Sequence, residues 1–221
     1  GCLGTTNFDT DHLRLLHHHG IAVVTNQVCF SLLDRRASGD MSSFCAASGV
    51  RLLAYGTLAG GLLTEKWYGK PKPTENAVTD WSTMKYLRFV EQIGGWDVLQ
   101  NILATLAKIA GKHDVSMSNV STRWVLEQNT VAGVIIGARL GEREHRADNL
   151  KVFSFALDAE DRGMIDAATS PTAAIPGDCG DEYRRPPYLT ASGDLSHHLG
   201  SFPKVYTAQP IPGKPGRLRL D

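Results

Sequence analysis

Thr6 and Asn7, Asn26 and Gln27, Tyr55 to Thr57, and Gly137 to Arg139 each stand at or near the end of a short apolar run. In a parallel α/β protein that is where ligands bind, at the carboxyl ends of the strands. A carboxamide needs a donor and an acceptor, which Asn and Gln supply, and a flat heterocycle needs a ring such as Tyr55 to lie on. Phosphates need glycine amides, here in "GTLAGG", and a cation such as Lys66 or Arg139. Together these residues describe a dinucleotide site, with nicotinamide at one end and a phosphorylated adenosine at the other. The stretch "GVIIGARLGEREHRADNL" supports it, because a buried strand leads straight to Arg139, Arg143 and Arg146.

Each feature also has an ordinary reading. The arginines can be a solvated helix entrance, Tyr55 a core aromatic, the glycines plain turns, and Asn26 and Gln27 partners for buried backbone. The set contains no nucleophile paired with a base. No metal site is expected either: His17, His18 and His19 are adjacent on a helix and point in different directions, which suits a solvated helix end better than one ion. Asp34, Arg35 and Arg36 read as a structural ion-pair loop.

The elements that must hold these residues alternate between apolar run and amphipathic helix, the signature of βα units. "CLGTTNF" closes a strand, Asp9 or Thr10 caps the helix "DHLRLLHHH", and Gly20 stops it. "IAVVTNQVCF" is a second strand, followed by a small-residue helix in "RASGDMSSFCAASG". "VRLLAYGTL" is the third strand, and "AGGLL" turns into a polar insertion from Thr64 to Tyr86, read as a loop because of Pro71 and Pro73. Val98, Ile102, Leu103, Leu106, Ile109 and Ala110 form a helical stripe, and Ser116 or Ser118 caps the next helix. "VAGVIIGA" and "EHRADNLKVF" complete a fourth unit. Four units suit half of a barrel or one wing of a doubly wound sheet. From Ser170 the chain is rich in Pro, Gly and Ser, so residues 170–221 read as an extended tail that lies over a surface or as a linker to a further domain.

With 221 residues, 42% hydrophobic and 21% charged, and a formal net charge of +0, bulk charge gives no support to a nucleic-acid or membrane partner. Apolar runs are too short to cross a bilayer. Cys2, Cys29, Cys45 and Cys179 lack paired spacing, which fits a reducing, cytoplasmic setting.

"GTTNF", "NQVCFSLLDRR", "AYGTLAGGLLTEKW" and "GVIIGARLGEREHRADNL" resemble, in order and spacing, the second half of an aldo-keto reductase, in the branch of bacterial and fungal oxidoreductases and potassium-channel beta subunits. The resemblance covers Gly1 to Ala168. It implies a (β/α)8 TIM barrel, of which residues 1–169 supply the last four βα units, with NADPH (NADP) as cofactor and an aldehyde or ketone as the small carbonyl substrate. It also implies site roles: Thr6, Asn7 and Gln27 on the nicotinamide carboxamide, Tyr55 as the stacking ring, and Gly56, Leu58 and Gly60 around the pyrophosphate. Lys66, Arg139, Arg143 and His145 fall to the phosphates, and Asn149 to the adenine amine. The family's catalytic Asp, Tyr, Lys and His or Asn lie on the first four strands, so no catalytic residue is assigned here. That leaves a cofactor-binding half expected to be inactive alone and to self-associate through open sheet edges. The alternative is a non-catalytic nucleotide-binding or protein-docking fragment of the same scaffold.

Overall fold

The computed structural model describes residues 1–74, 81–137, 144–184, 208–210 and 218–220. Its centre is a sheet of four parallel strands, β1 (Leu3–Thr6), β2 (Val23–Cys29), β3 (Arg51–Tyr55) and β4 (Val131–Ile135), in the spatial order β1-β2-β3-β4. Each strand therefore lies beside its neighbour in sequence. A doubly wound sheet reverses its order at a switch point, whereas a barrel does not. The consecutive order is the one that a barrel segment requires.

Helices cover one face of these strands. Val28, Leu52 and Ala54 point into that layer and are fully buried, while Thr25, Gln27, Leu53 and Tyr55, one residue out of phase, lie half-buried on the other face. The first helix, α1 (Thr10–His18), starts at Asp9, whose side chain accepts from His12 N at 2.8 Å, and carries His17 and His18 in its last turn. α2 (Asp40–Ser48) buries Met41 and Cys45, four residues apart on one side. α4 (Trp96–His113) buries Leu99, Ile102, Leu103, Leu106, Ile109 and Ala110; Leu99, rather than Val98, heads the stripe. In α5 (Met117–Leu126), Ser116 is the cap and Trp124 meets Phe30 edge-on at 5.6 Å.

Three segments differ from the sequence expectation. The polar insertion is a loop only in part, because α3 (Trp81–Ile93) begins inside it and buries Tyr86, Phe89, Val90 and Ile93. That spacing is helical, although the first turns of the same helix carry polar residues, of which Thr83 and Lys85 are themselves buried. After β4 the expected helix is α6 (Arg146–Leu150) with one 3-10 turn, and a further helix, α7 (Ala159–Thr169), follows with a capping box between Asp158 and Asp161. Beyond Ser170 the packed body continues through Ile175, Cys179 and the short helix α8 (Asp181–Arg184). Polar ties hold this stretch and leave no periodic trace: Asp178 Oδ2 accepts from Thr10 N at 2.8 Å, satisfying one of the orphan donors of α1, and Ala173 N donates to Ile93 O at 3.1 Å. Farther on, β5 (Ala208–Pro210) and β6 (Leu218–Leu220) form an antiparallel pair.

α4 and α7 are stapled at their ends. Lys112 Nζ lies 2.7 Å from Asp158 Oδ2 and 2.9 Å from Asp161 Oδ1, and His113 Nε2 lies 2.7 Å from Asp161 Oδ2. Hydrogen bonding to Lys112 holds the Asp158 carboxyl down to about 2. A carboxylate lowered on folding contributes stability above its unfolded pKa of about 4, and loses it as pH falls through the folded value. Urea midpoints measured between pH 5 and pH 2 should therefore fall, and Lys112→Met should flatten that acid limb. An unchanged acid limb in the variant would remove the staple from the stability account.

Candidate nicotinamide dinucleotide site

Three of the four strand ends are joined by direct bonds. Thr6 pairs in register with Gln27, and Asn7 N donates to Gln27 O at 2.8 Å. Asn7 takes a left-handed backbone with φ 57°, a conformation Asn tolerates, and this turns the chain out of β1 above the sheet. The Tyr55 hydroxyl then reaches Asn7 Oδ1 at 2.8 Å. Thr6, Asn7, Gln27 and Tyr55 thus converge at the carboxyl ends of β1, β2 and β3. Asn26 belongs to the other face. It is buried, donates to Phe8 O at 2.9 Å and accepts from Thr5 Oγ1 at 2.9 Å, so its polar atoms serve the scaffold.

After β3 the chain turns through Gly56, Leu58 and a 3-10 turn at Ala59–Gly61. Gly56 and Gly60 have φ of 69° and 64°; a Cβ would come within 2.1 Å of the Tyr86 hydroxyl at the first and 2.9 Å of Ser82 backbone at the second. α3 fills the space a side chain would need there. Gly61, with φ 88°, has nothing within 4 Å of a built Cβ and leaves its backbone open to approach. Lys66 is exposed and lies over the Trp67 ring at 4.8 Å. His145 is exposed at the N-cap of α6, and Asn149 N donates to His145 O at 2.8 Å, so both ride on the helix after β4. Arg139 and Arg143 lie outside the described residues.

Sequence reasoning found the ion pair of Asp34 and Arg36 but not the group against Tyr55 that it joins. Lys85 on α3 is buried, and its ammonium donates to the Tyr183 hydroxyl at 2.7 Å and lies 3.4 Å from Glu182 Oε1. Burial alone would push this lysine down; the Glu182 carboxylate and the hydrogen bond to Tyr183 outweigh it and hold it above its ordinary range, hence charged. The Tyr55 phenol is pushed up by burial first and then by the Glu182 carboxylate, so it is a neutral hydroxyl. Arg36 bonds Asp34 in two places, at 2.8 and 2.6 Å, and its Nη2 lies 2.9 Å from Glu182 Oε2. The residues of this group sit far apart in sequence. The helical spacing of Tyr86, Phe89, Val90 and Ile93 is the one signal that could have brought Lys85 to notice.

Cys29, Asp34 and Glu182 also place three ligand atoms within 4.8 Å of one another. The thiol is held protonated, by burial above all and then by Asp34, and Arg36 and Lys85 match the two carboxylates charge for charge. A dication would meet two fixed cations there, which makes the trio an ion network rather than a metal centre.

Polar residues gathered at the carboxyl ends of consecutive parallel strands define a barrel-type α/β binding site. The sequence matches the Aldo/keto reductase family over residues 1–170, and the chain belongs to that family. It is 35% identical over 128 residues to flagellar radial spoke protein 5 of Chlamydomonas reinhardtii, covering 57% of this chain and 24% of that protein. Against the chloroplastic pyridoxal reductase of Arabidopsis thaliana it is 27% identical over 180 residues, 78% of this chain and 45% of the relative. The fold superposes on the glycerol dehydrogenase of Gluconobacter oxydans with a TM-score of 0.63 at 23% identity, covering 80% of this chain and 51% of that one. The chain thus spans a quarter to a half of the length of these relatives. The family uses nicotinamide dinucleotides, and the residues present fit the nicotinamide end, where three polar side chains and one ring converge.

The Gly56 contact is testable. Gly56→Ala adds left-handed strain and a collision with Tyr86, and should cost about 3 kcal/mol, against about 1 kcal/mol for Gly61→Ala. Tyr86→Phe introduced into Gly56→Ala should recover part of the loss. Equal losses at Gly56 and Gly61 in urea unfolding would show that α3 does not constrain this turn.

Proposed function

We propose that this chain is the cofactor-binding half of an NADP(H)-dependent aldo/keto reductase that reduces aldehydes or ketones to alcohols. The observation carrying this reading is the convergence of Thr6, Asn7, Gln27 and Tyr55 at three adjacent strand ends. The cofactor, when bound, supplies the hydride. The chain's own residues bind and orient: Thr6, Asn7 and Gln27 hold the carboxamide, and the Tyr55 ring carries the nicotinamide. The backbone of Gly56, Leu58 and Gly60 follows the pyrophosphate, Lys66, Arg139, Arg143 and His145 bring charge to the phosphates, and Asn149 meets the adenine amine. NADPH is favoured over NADH because a 2′-phosphate gives Lys66 and Arg139 a charge-assisted partner. No residue of the chain is assigned as proton donor to the carbonyl oxygen, and the cofactor half alone is inactive in this reading. Four free cysteines suit a reducing, cytoplasmic setting; among the described residues, no helix is long and apolar enough to cross a membrane.

One observation favours the docking alternative. Leu3 on β1, Ile21 just before β2 and Val24 on β2 are 41–47% exposed. At the other side of the sheet, Ile135, Leu150 and Phe153 are 43–69% exposed. Apolar residues open on both sides of a parallel sheet suit burial against another set of βα units, including those of a second copy.

Fluorescence titration of the 221-residue chain should show NADPH binding, with no aldehyde-dependent oxidation. Arg139→Ala should weaken NADPH about tenfold and leave NADH nearly unchanged. Equal losses for both cofactors would remove Arg139 from the 2′-phosphate, and aldehyde turnover would place a proton donor within this chain.

A further inference from the structure

Two hydrogen bonds meet at the Tyr183 hydroxyl above Tyr55. An ammonium has donors and no acceptor, so the Tyr183 oxygen, 2.7 Å from Lys85 Nζ, receives a proton from it. The Tyr55 hydroxyl, 3.2 Å away, donates to the same oxygen. Its hydrogen is shared with Asn7 Oδ1, which it reaches at 2.8 Å. These contacts join Lys85, Tyr183, Tyr55 and Asn7 in one network, with a fixed charge at one end. Lys85 also lies over the Tyr55 ring, 5.5 Å from its centre. The chain's own anchor is α8: Glu182, next to Tyr183, is held by both Arg36 and Lys85.

We propose that Lys85 and Tyr183 are positioning residues that fix the Tyr55 ring, and that residues 178–183 are thereby part of the nicotinamide end of the site. This rests on the reading of Tyr55 as the nicotinamide platform. Tyr55 lies half-buried on the open face of β3, packed in part against the core. Its hydroxyl, held as a donor between the Tyr183 oxygen and Asn7 Oδ1, sets where the ring plane lies. Stacking depends on that plane, since aromatic pairs prefer defined offsets and angles. Loss of either partner leaves the ring in place on its strand but free to change its tilt. Nothing in the chain's motif-bearing segments assigns a role to Lys85 or Tyr183, which lie 98 positions apart.

The test uses the full chain and two ligands. NADPH carries the nicotinamide, and 2′,5′-ADP carries only the phosphorylated adenosine end. Tyr183→Phe keeps the ring and removes the hydroxyl; Lys85→Met removes the charge. Both variants should bind NADPH about fivefold more weakly, the loss expected for one hydrogen bond, and 2′,5′-ADP as the unaltered chain does. Equal weakening for both ligands would mean a general structural effect and would overturn the proposal, as would no change for either. Should Lys85→Met fail to fold, with Glu182 deprived of one of its two cations, Tyr183→Phe decides alone. A second readout needs no ligand: the flip rate of the Tyr55 ring, measured by NMR with labelled tyrosine, should rise in Tyr183→Phe. An unchanged flip rate would overturn the positioning role. If the unaltered chain binds neither ligand, the proposed function fails, while the ring measurement still decides whether Lys85 and Tyr183 hold Tyr55.

Discussion

The architecture around the strand ends depends on one buried ion network. Arg36, with a side chain 4% exposed, bonds Asp34, lies against Glu182 and donates to Asp178 O at 2.9 Å. Lys85 lies against Glu182 from the opposite element. Removing four charges from water costs several kcal/mol for each, so the network is tolerable only because two cations meet two carboxylates with hydrogen bonds among them. Loss of one member strands its partner and costs about 3–5 kcal/mol. That penalty makes the loop after β2, the helix α3 and residues 178–183 a single unit. None of the three can shift without exposing a buried charge to an unpartnered environment.

This unit gives the two ends of the proposed site different stiffness. The nicotinamide end is built from strand termini whose positions follow from sheet register, and Tyr55 there is held from above by residues the ion network anchors. At the adenosine end, His145 and Asn149 ride on a five-residue helix whose ties to the body run through Ser116 to Asp148 and Asn119 to the Asp148 carbonyl. Chemistry at a nicotinamide ring is sensitive to small displacements. Recognition of a phosphate by exposed cations tolerates them, because charge acts over a longer range than a hydrogen bond.

What the sequence made legible follows the same division. Strand ends, caps such as Asp9 and Ser116, and the α4 stripe obey local rules, and they were readable from spacing alone. Thr6, Asn7, Gln27 and Tyr55 could be grouped because alternating βα units bring consecutive strand ends together without further information. Lys85, Glu182 and Tyr183 were not legible, since their meeting depends on pairings between residues up to about a hundred positions apart, for which one sequence carries no periodic signal. The stretch after Ser170 was obscured for a related reason. Proline, glycine and serine look like a linker, yet Asp178 and Glu182 are fastened by polar contacts that hydropathy ignores. α3 was hidden differently: its buried stripe was present, but its polar first turn merged with the insertion before it.

Asn26 and Gln27 show how closely stability and proposed function are interleaved. The two are neighbours on β2, and strand alternation sends one to the helical layer and the other to the opposite face. Asn26 is spent on Thr5 and Phe8, inside a layer where Val28, Leu52 and Ala54 are fully buried. Gln27, Leu53 and Tyr55 remain half-buried on the face that a closed barrel would fill. Slipping the register by one residue would exchange the two sets, putting Val28 toward the open face and Gln27 into the core. The apolar helix layer therefore does more than stabilise the sheet. By making that slip prohibitively costly, it fixes which polar residues emerge at the strand ends, and so the site's geometry is inherited from a core that no ligand touches.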